Sequence, residues 1–331
     1  MKAIAVKGDR QNPVLVWESV PDVEPGPEEV LVDVRATAVN RADLLQARGG
    51  YSAPAGASDI LGLEMAGVIT AVGEDVEEDW QVGDRVCALL PGGGYAEQVA
   101  VPGGMLLKLP KVWSFAMGAA VPEVWYTAYV NLFLEGELVA GETVLIHAGA
   151  SGVGTAAIQL ANAAEATVFV TAGSEEKLLA CRKLGAELAI NYKQDDFWAK
   201  VMTATQDQGV DLILDPVGGG YLDRNVRSLK RFGRLVNIGQ LGGSHGEMNM
   251  GLLLGKRLRI IGSTLRSRSP AEKIKITKQF EAGYWPLLRS GELKPIIDIT
   301  FPIEQAHEAH KYVAQNKNIG KVILLVGNES A

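Results

Sequence analysis

The chain has 331 residues, a length that suits two domains better than one. Its 32 basic and 39 acidic residues give a net charge of −7, which argues against a surface built to bind nucleic acid. Hydrophobic residues make up 47% of the chain and charged residues 21%, and these proportions exclude a disordered or fibrous protein.

Residues 1 to about 124 predict an irregular, mostly β domain, because short alternating runs such as 31–36 and 65–72 are separated by glycine- and proline-rich turns. The apolar stretch 112–134 is long enough to resemble a membrane span, but Gly118, Pro122 and Glu123 interrupt it. We predict two buried helical pieces there and no contact with a membrane.

The two cysteines, Cys87 and Cys181, are far apart in sequence and form no CxxC pair. Two thiols cannot make a four-cysteine zinc site, and a disulfide between them is not supported. The first residues alternate like a strand and have no signal-peptide core. We therefore expect a cytoplasmic protein with two reduced, packed thiols.

From about 125 to 268, short apolar strands alternate with helices, which predicts a doubly wound parallel sheet covered on both faces. The remaining segment has predicted helices at 271–289 and 303–316 and a final strand at 321–326. It is too short to be a domain, so we expect it to pack on the first region. The predicted strands of the middle region are 144–147, 167–170, 188–190, 210–214, 235–238 and 258–261, and its predicted helices are 155–164, 175–184, 196–202 and 221–228.

A glycine-rich loop at 148–154 lies between the first strand and the first helix of this series. In the register G-x-G-x-x-G it contains Gly149, Ser151 and Gly154, with serine at the middle position. Small residues here let backbone N–H groups approach a pyrophosphate at a helix N-terminus. The alternative is a turn that serves packing alone. We predict dinucleotide contacts from Ser151, Gly152, Val153 and Gly154.

The end of the second strand indicates which dinucleotide binds. Sites for NAD usually carry an acidic residue there, but this strand ends in Thr-Ala-Gly-Ser at 171–174. Ser174 is a candidate N-cap, and Lys177 stands in the first helical turn, where a cation opposes the helix dipole. We predict NADP, with Gly173, Ser174, Lys177 and Tyr192 near its 2′-phosphate. A solvated lysine and a half-buried strand-end tyrosine are the alternatives.

Several further segments resemble the zinc-free quinone oxidoreductases of the medium-chain dehydrogenase/reductase superfamily, in particular the group of tumour-suppressor-inducible NADPH quinone oxidoreductases. The resemblance covers nearly the whole chain. Its segments are NRADL at 40–44, ILGLE at 60–64, GDRV at 83–86, LLPGGG at 89–94, HAGASGVG at 147–154, TAGS at 171–174, HKY at 310–312 and KNIGK at 317–321.

This resemblance implies an α/β protein with two domains and an active site in the cleft between them. Residues 1–124 and 269–331 would form a discontinuous GroES-like, β-rich catalytic domain, and residues 125–268 a Rossmann domain that binds NADPH. A homodimer joined through the edges of the Rossmann sheets is also implied.

The resemblance also bears on metal. Zinc alcohol dehydrogenases of this superfamily have a cysteine where Asn40 stands and a histidine where Leu63 stands, and the structural-zinc cysteines are missing as well. The four histidines show no ligand spacing. We therefore expect no metal.

The remaining site residues also follow from the resemblance. Tyr51 matches the family's active-site tyrosine, which would hydrogen-bond the acceptor oxygen or hold the cofactor; a packed loop aromatic is the alternative. Asn40 is implied near the nicotinamide ribose, although it also resembles an N-cap. Thr127 and Asn318 are further implied cofactor residues; a buried helical hydroxyl and a turn residue before Gly320 are the alternatives. Gly239, Leu241 and Leu265 are predicted cofactor residues because they lie in the loops after the fifth and sixth strands, and this fold binds ligands at strand carboxyl ends. Arg266 and Arg268 are better explained as solvated side chains than as phosphate or interface contacts.

The predicted function is reduction of a quinone by hydride transfer from NADPH without a metal. The first alternative keeps the fold and the cofactor and takes an α,β-unsaturated carbonyl as acceptor. The second is an NADPH-binding protein without enzymatic activity. The expected partners are thus a small-molecule acceptor and a second copy of the chain, with no nucleic acid.

Overall fold

The computed structural model of the protein describes residues 1–327. Contacts within the chain divide it into two compact units. Unit 1 combines residues 1–126 with the residues from 265 onward, and unit 2 is residues 127–264. Each unit has its own sheet.

The first segment of unit 1 is rich in strands, as its alternating pattern predicts. The apolar stretch 112–134 forms two short helices followed by a π-helical turn at Val130–Leu134. Within residues 1–327, no helix has the length and apolar character needed to cross a membrane. The elements are β1 (Lys2–Gly8), β2 (Pro13–Ser19), β3 (Glu29–Val39), α1 (Arg41–Ala47), β4 (Glu64–Val72), β5 (Arg85–Leu89), β6 (Gln98–Pro102), β7 (Leu106–Lys108), α2 (Phe115–Ala119) and α3 (Pro122–Tyr129).

Unit 2 alternates strands and helices. Most bounds lie within a few residues of the predicted ones; the helix α8 was not predicted. The elements are β8 (Thr143–Ile146), α4 (Gly152–Ala163), β9 (Thr167–Ala172), α5 (Glu175–Lys183), β10 (Leu188–Asn191), α6 (Phe197–Ala204), β11 (Val210–Asp215), α7 (Leu222–Ser228), β12 (Leu229–Asn237), α8 (Met250–Lys256) and β13 (Arg259–Gly262).

The sheet of unit 2 has the order β10-β9-β8-β11-β12-β13, and every neighbouring pair is parallel. This confirms the predicted doubly wound sheet. Strand β11 is buried along its whole length, which suits its consecutive apolar residues Leu212, Ile213 and Leu214. The chain reverses its direction of winding between β8 and β11. Ligands of such sheets bind beyond the carboxyl ends of the strands at this point.

The last segment returns to unit 1. Its first predicted helix, at 271–289, is wrong as a single element, because the structure has two helices that separate at Tyr284. Pro286 lacks an N–H group and fits only the first turn of a new helix. The elements are α9 (Pro270–Gly283), α10 (Trp285–Ser290), β14 (Ile297–Pro302), α11 (Ala306–Ala314) and β15 (Lys321–Leu325).

The larger sheet of unit 1 joins both segments. Its order is β14-β15-β3-β4-β5-β7, with β6 also paired to β3. Strand β15 runs antiparallel to β3, with Val322 opposite Val39 and Leu325 opposite Ala36. The final strand therefore packs on the first region, as predicted, and it brings Lys321 beside the end of β3.

Candidate active site

The glycine-rich loop of unit 2 joins β8 to α4. Ala148 has a φ of 54°, a left-handed conformation that starts the tight turn. Ser151 is the N-cap of α4, and its Oγ accepts a hydrogen bond of 3.0 Å from the N–H of Gly154. A Cβ added at Gly154 would lie 2.5 Å from the carbonyl oxygens of Ala148 and Gly149. Glycine is therefore required there for the helix to begin so close to the strand.

The first turn of α4 presents the chemistry of an anion site. The Ser151 Oγ accepts the hydrogen bond of the Gly154 N–H group. The N–H groups of Gly152 and Val153 have no acceptor within the helix. Such N–H groups at the positive end of a helix dipole suit a phosphate or pyrophosphate. The predicted residues Ser151, Gly152, Val153 and Gly154 thus share one helix N-terminus.

A second helix N-terminus follows the neighbouring strand β9. Ser174 caps α5, and its Oγ accepts from the N–H of Lys177 at 3.4 Å. A Cβ at Gly173 would lie 2.7 Å from the Tyr192 hydroxyl oxygen, so the phenol lies directly over this backbone. The Tyr192 side chain is 43% exposed. Gly173, Ser174, Lys177 and Tyr192 are therefore brought together at the ends of β9 and β10.

A buried polar chain that the sequence did not reveal supports these loops. His147 lies between Thr171 and Asn225, with its Nδ1 2.9 Å from Thr171 Oγ1 and its Nε2 2.7 Å from Asn225 Oδ1. Asn225 donates to Asp215 at 2.9 Å, which in turn accepts from the N–H of Val217 at 2.6 Å. The chain ties together the carboxyl ends of β8, β9 and β11. Burial lowers the pKa of His147, which favours the neutral form of the imidazole.

The loop after β12 lies at the same edge of the sheet. Gly239 follows β12 closely, and the N–H of Leu241 donates to the carbonyl of Pro216 in the loop after β11. The Leu241 side chain is 55% exposed. The residues predicted from the loops after β8, β9 and β12 thus share the carboxyl edge of one sheet.

In unit 1, Asn40 follows β3 and caps α1, where it forms a capping box with Asp43. Its Nδ2 donates to Glu64 Oε1 at 2.8 Å, and its Oδ1 accepts from Lys321 Nζ at 2.7 Å. The Lys321 ammonium also donates to Glu64 Oε1 at 2.7 Å. All three side chains are buried, so the ion pair lies away from water. The amide of Asn40 is therefore committed to this network as well as to the helix cap.

Asp43 extends the network toward the helix α11. Its two carboxyl oxygens accept from the N–H groups of Asn40 at 2.7 Å and Gly62 at 3.1 Å. The Tyr95 hydroxyl lies 3.4 Å from Asp43 and 3.1 Å from Nε2 of His310. Burial raises the pKa of Asp43 to about 6 and lowers that of His310 to about 3.

Tyr51 lies in a loop that Arg266 holds. The Arg266 guanidinium is stacked on the Tyr51 ring, and it donates to the carbonyl of Pro91 at 2.7 Å and to Gln46 Oε1 at 2.8 Å. Arg266 is only 3% exposed, so the expectation of a solvated side chain is wrong. Burial and the Glu123 carboxylate raise the pKa of Tyr51, and Arg266 opposes them.

The remaining predicted residues lie in separate places. Thr127 is in α3, where its carbonyl accepts from Asn131 Nδ2 at 2.7 Å. Leu265 is buried at the start of the second segment of unit 1. Asn318 donates to the carbonyl of Gly320 at 2.7 Å, so it stabilises the turn before β15.

The residues at the positions of the zinc ligands have other roles. Asn40 donates its amide N–H to Glu64, and Leu63 is a fully buried apolar side chain. Within residues 1–327, no group of three or more His, Cys, Asp or Glu is arranged to hold a metal ion. Cys87 and Cys181 are buried and unpaired with each other.

Comparison with known proteins agrees with this architecture. Residues 26–111 match the alcohol dehydrogenase GroES-like domain, and residues 152–281 match the family described as zinc-binding dehydrogenase. The quinone oxidoreductase of Rattus norvegicus is 33% identical over 308 residues, which cover 92% of each chain.

Two solved structures are similar over nearly their whole length. The Escherichia coli quinone oxidoreductase complexed with NADPH has a TM-score of 0.85 and 27% identity, covering 98% of this chain and 99% of that one. The CurK enoyl reductase has a TM-score of 0.84 and 30% identity over the same shares. The chain belongs to the medium-chain dehydrogenase/reductase superfamily, in which quinone oxidoreductases are among its relatives.

Proposed function

We propose that this protein is a quinone reductase that transfers a hydride from NADPH to a quinone. The observation that carries the proposal is the carboxyl edge of the unit 2 sheet, where two serine-capped helices begin beside adjacent strands. These N-termini suit the pyrophosphate and the 2′-phosphate of one dinucleotide. The similarity to a quinone oxidoreductase complexed with NADPH also supports this proposal.

NADPH is favoured over NADH by the residues after β9. An acidic side chain that would bind the ribose 2′-OH is missing from 171–174. Lys177 and Tyr192 offer instead a cation and a hydroxyl near the Ser174 cap, the chemistry that a phosphate group prefers. Bound NADPH would supply the hydride, and these residues would orient it.

The residues of unit 1 suit hydride transfer without zinc. Asn40 and Leu63 stand where zinc enzymes of the superfamily have ligands, and the Asn40 amide is already bonded to Glu64 and Lys321. Tyr51 is the proposed catalytic residue. Its phenol would donate a hydrogen bond to the acceptor oxygen, on which negative charge develops during reduction.

An enone is the second candidate acceptor, because the CurK enoyl reductase is as similar in structure as the quinone oxidoreductase. Enone reduction places the hydride on the β-carbon and a proton on the α-carbon, and Tyr51 serves either reaction. Parallel assays of NADPH oxidation with ortho- and para-quinones and with alkenals test both. Oxidation with alkenals alone would favour the enone, and NADPH binding without any turnover would overturn both activities.

We also propose a homodimer formed through β13, which is an edge strand of the unit 2 sheet. Ile260 on this strand is 40% exposed, and Leu254 on α8 is 73% exposed. Exposed apolar side chains at an unpaired edge favour pairing with a second copy. Sedimentation equilibrium tests this, and a monomer at all concentrations would contradict it. A cytoplasmic location, which two reduced thiols favour, belongs to the same proposal.

A further inference from the structure

Three carboxyl groups of unit 1 lie in one buried polar cluster, and they differ in the hydrogen bonds they receive. Glu64 accepts from Lys321 at 2.7 Å, from Asn40 Nδ2 at 2.8 Å and from the N–H of Glu123 at 2.9 Å. Asp43 also accepts from two backbone N–H groups. A carboxylate that accepts several hydrogen bonds is stabilised in its charged form.

Glu123 is the exception among the three. It lies in the first turn of α3, and its Oε2 has no hydrogen-bond partner among residues 1–327. Its Oε2 is buried, although the residue as a whole is only half-buried. An unpaired buried carboxylate is costly, so a proton is retained most readily at Glu123. Burial and the neighbouring Glu64 carboxylate raise its pKa to about 8.

The charged groups around Glu123 come from several elements of unit 1. Glu64 and Asp43 add negative charge and favour the protonated form, while Lys321 and Arg266 oppose them. Glu123 in turn affects Tyr51 and Lys273, since its carboxylate raises the pKa of both. Protonation of Glu123 is therefore coupled electrostatically to the phenol proposed to face the acceptor.

We propose that Glu123 is protonated in the resting protein and stores the proton that the reduction consumes. This rests on the proposed function. The acceptor takes two electrons and one hydrogen as hydride, and it takes a proton from the Tyr51 hydroxyl. The Tyr51 O–H bond breaks as the new bond to hydrogen forms on the acceptor. Tyr51 regains its proton from the Glu123 carboxyl, and the resulting carboxylate is reprotonated from solvent. Glu123 acts through Tyr51 and is thus a positioning residue for this proton.

The pH profile of kcat tests this role in Glu123→Gln. The amide cannot store a proton, so we expect kcat below pH 8 to fall about 100-fold, the lower end of the usual acid–base contribution. The wild-type kcat should decline as pH rises through about 8, and the two profiles should converge above it. In Glu123→Asp, which keeps a carboxyl group, kcat should still decline in part as pH rises. A Gln variant with the wild-type profile would overturn the proposal.

Infrared spectroscopy tests the protonation state without turnover. The wild type should show the C=O band of a protonated carboxylic acid at pH 7.5 that is lost by pH 9.5, because the pKa of Glu123 is about 8. Glu123→Gln should lack this change, and Glu28→Gln, which removes an exposed carboxylate of the same unit, should keep it. A missing band in the wild type would overturn the stored proton. If the wild type reduced no acceptor, the proposed function would fail instead, together with the delivery step.

Discussion

The guanidinium carbon of Arg266 lies 5.3 Å from the centre of the Tyr51 ring. The same guanidinium donates to Gln46, to the Pro91 carbonyl and, at 3.4 Å, to the Tyr51 carbonyl. Arg266 therefore holds both the backbone and the ring of Tyr51. A cation over an aromatic face is attractive, and more so when it is desolvated.

Replacing Arg266 with methionine should disorder the Tyr51 loop. We expect kcat/KM for the acceptor to fall about tenfold or more, since misplacing a group near the chemistry is costly. Loss of the bonds to Gln46 and Pro91 should reduce the free energy of unfolding by about 2 kcal/mol. Steady-state kinetics and urea denaturation measure the two effects.

Arg231 offers a matched control for this substitution. Its guanidinium carbon lies 5.2 Å from the centre of the Phe232 ring, but both side chains are exposed. Arg231→Met should leave kcat/KM unchanged and alter stability by less than about 0.5 kcal/mol. If Arg266→Met had the kcat/KM of the wild type, the position of the Tyr51 loop would not depend on its contacts with Arg266.

Gly154→Ala should damage dinucleotide binding. The added Cβ would clash with two carbonyl oxygens at 2.5 Å, so the start of α4 must shift. We expect NADPH to bind at least about tenfold more weakly, which corresponds to about 1.4 kcal/mol. Isothermal titration calorimetry measures the affinity. The control is Gly283→Ala at the end of α9, where an added Cβ meets nothing within 4 Å.

Lys177→Ala should weaken NADPH binding selectively. A charge-assisted contact with a phosphate contributes about 1.5–3 kcal/mol, so the Kd for NADPH should rise roughly tenfold or more. The Kd for NADH should hardly change because NADH lacks the 2′-phosphate. Equal weakening of both cofactors, or tighter binding of NADH than NADPH by the wild type, would contradict the assignment.

Lys321→Met should destabilise unit 1 strongly. The substitution leaves the Glu64 carboxylate buried without its cation, at a cost of about 3–5 kcal/mol in the free energy of unfolding. Adding Glu64→Gln should recover much of the loss, because the carboxylate that lost its cation is then removed. In contrast, Lys311→Met removes an exposed pair with Glu308 and should leave the free energy of unfolding nearly unchanged.

Glu123→Gln should also change how stability depends on pH. A glutamate ionises near pH 4.5 when exposed, whereas the pKa of Glu123 in the folded protein is about 8. Between these values the unfolded chain releases a proton that the folded chain keeps, so the wild type loses stability as pH rises. The variant should therefore gain stability relative to the wild type, by up to a few kcal/mol, from pH 5 to pH 9. A difference that is independent of pH would contradict a raised pKa.

The alternation of elements in unit 2 could be predicted because its signals are local. Apolar strands, the Ser174 cap and the glycine loop are each encoded within a few residues, and the structure has them close to the expected positions. The single helix expected at 271–289 was wrong, although its cause is also local: Pro286 starts a new helix.

The polar networks could not be predicted because their members are distant in sequence. Lys321 and Glu64 are 257 positions apart, and His147 and Asn225 are 78 apart. Arg266 stands in a polar stretch whose side chains are predicted to face solvent, and it is buried against Tyr51 only in the folded chain. The sequence likewise could not predict that Glu123 Oε2 lacks a hydrogen-bond partner, because this depends on the positions of all neighbouring donor groups in the fold.

The pairing of β15 with β3 has a consequence for synthesis of the chain. Glu64 leaves the ribosome 257 residues before Lys321, a delay of roughly 13–50 s at about 5–20 residues per second. During that interval the Glu64 and Asp43 carboxylates have no lysine to neutralise them, so the sheet of unit 1 cannot close around them. Unit 2 has all of its strands between 143 and 262 and can form within this time. Unit 1 therefore completes its sheet only after every strand of unit 2 has been synthesised.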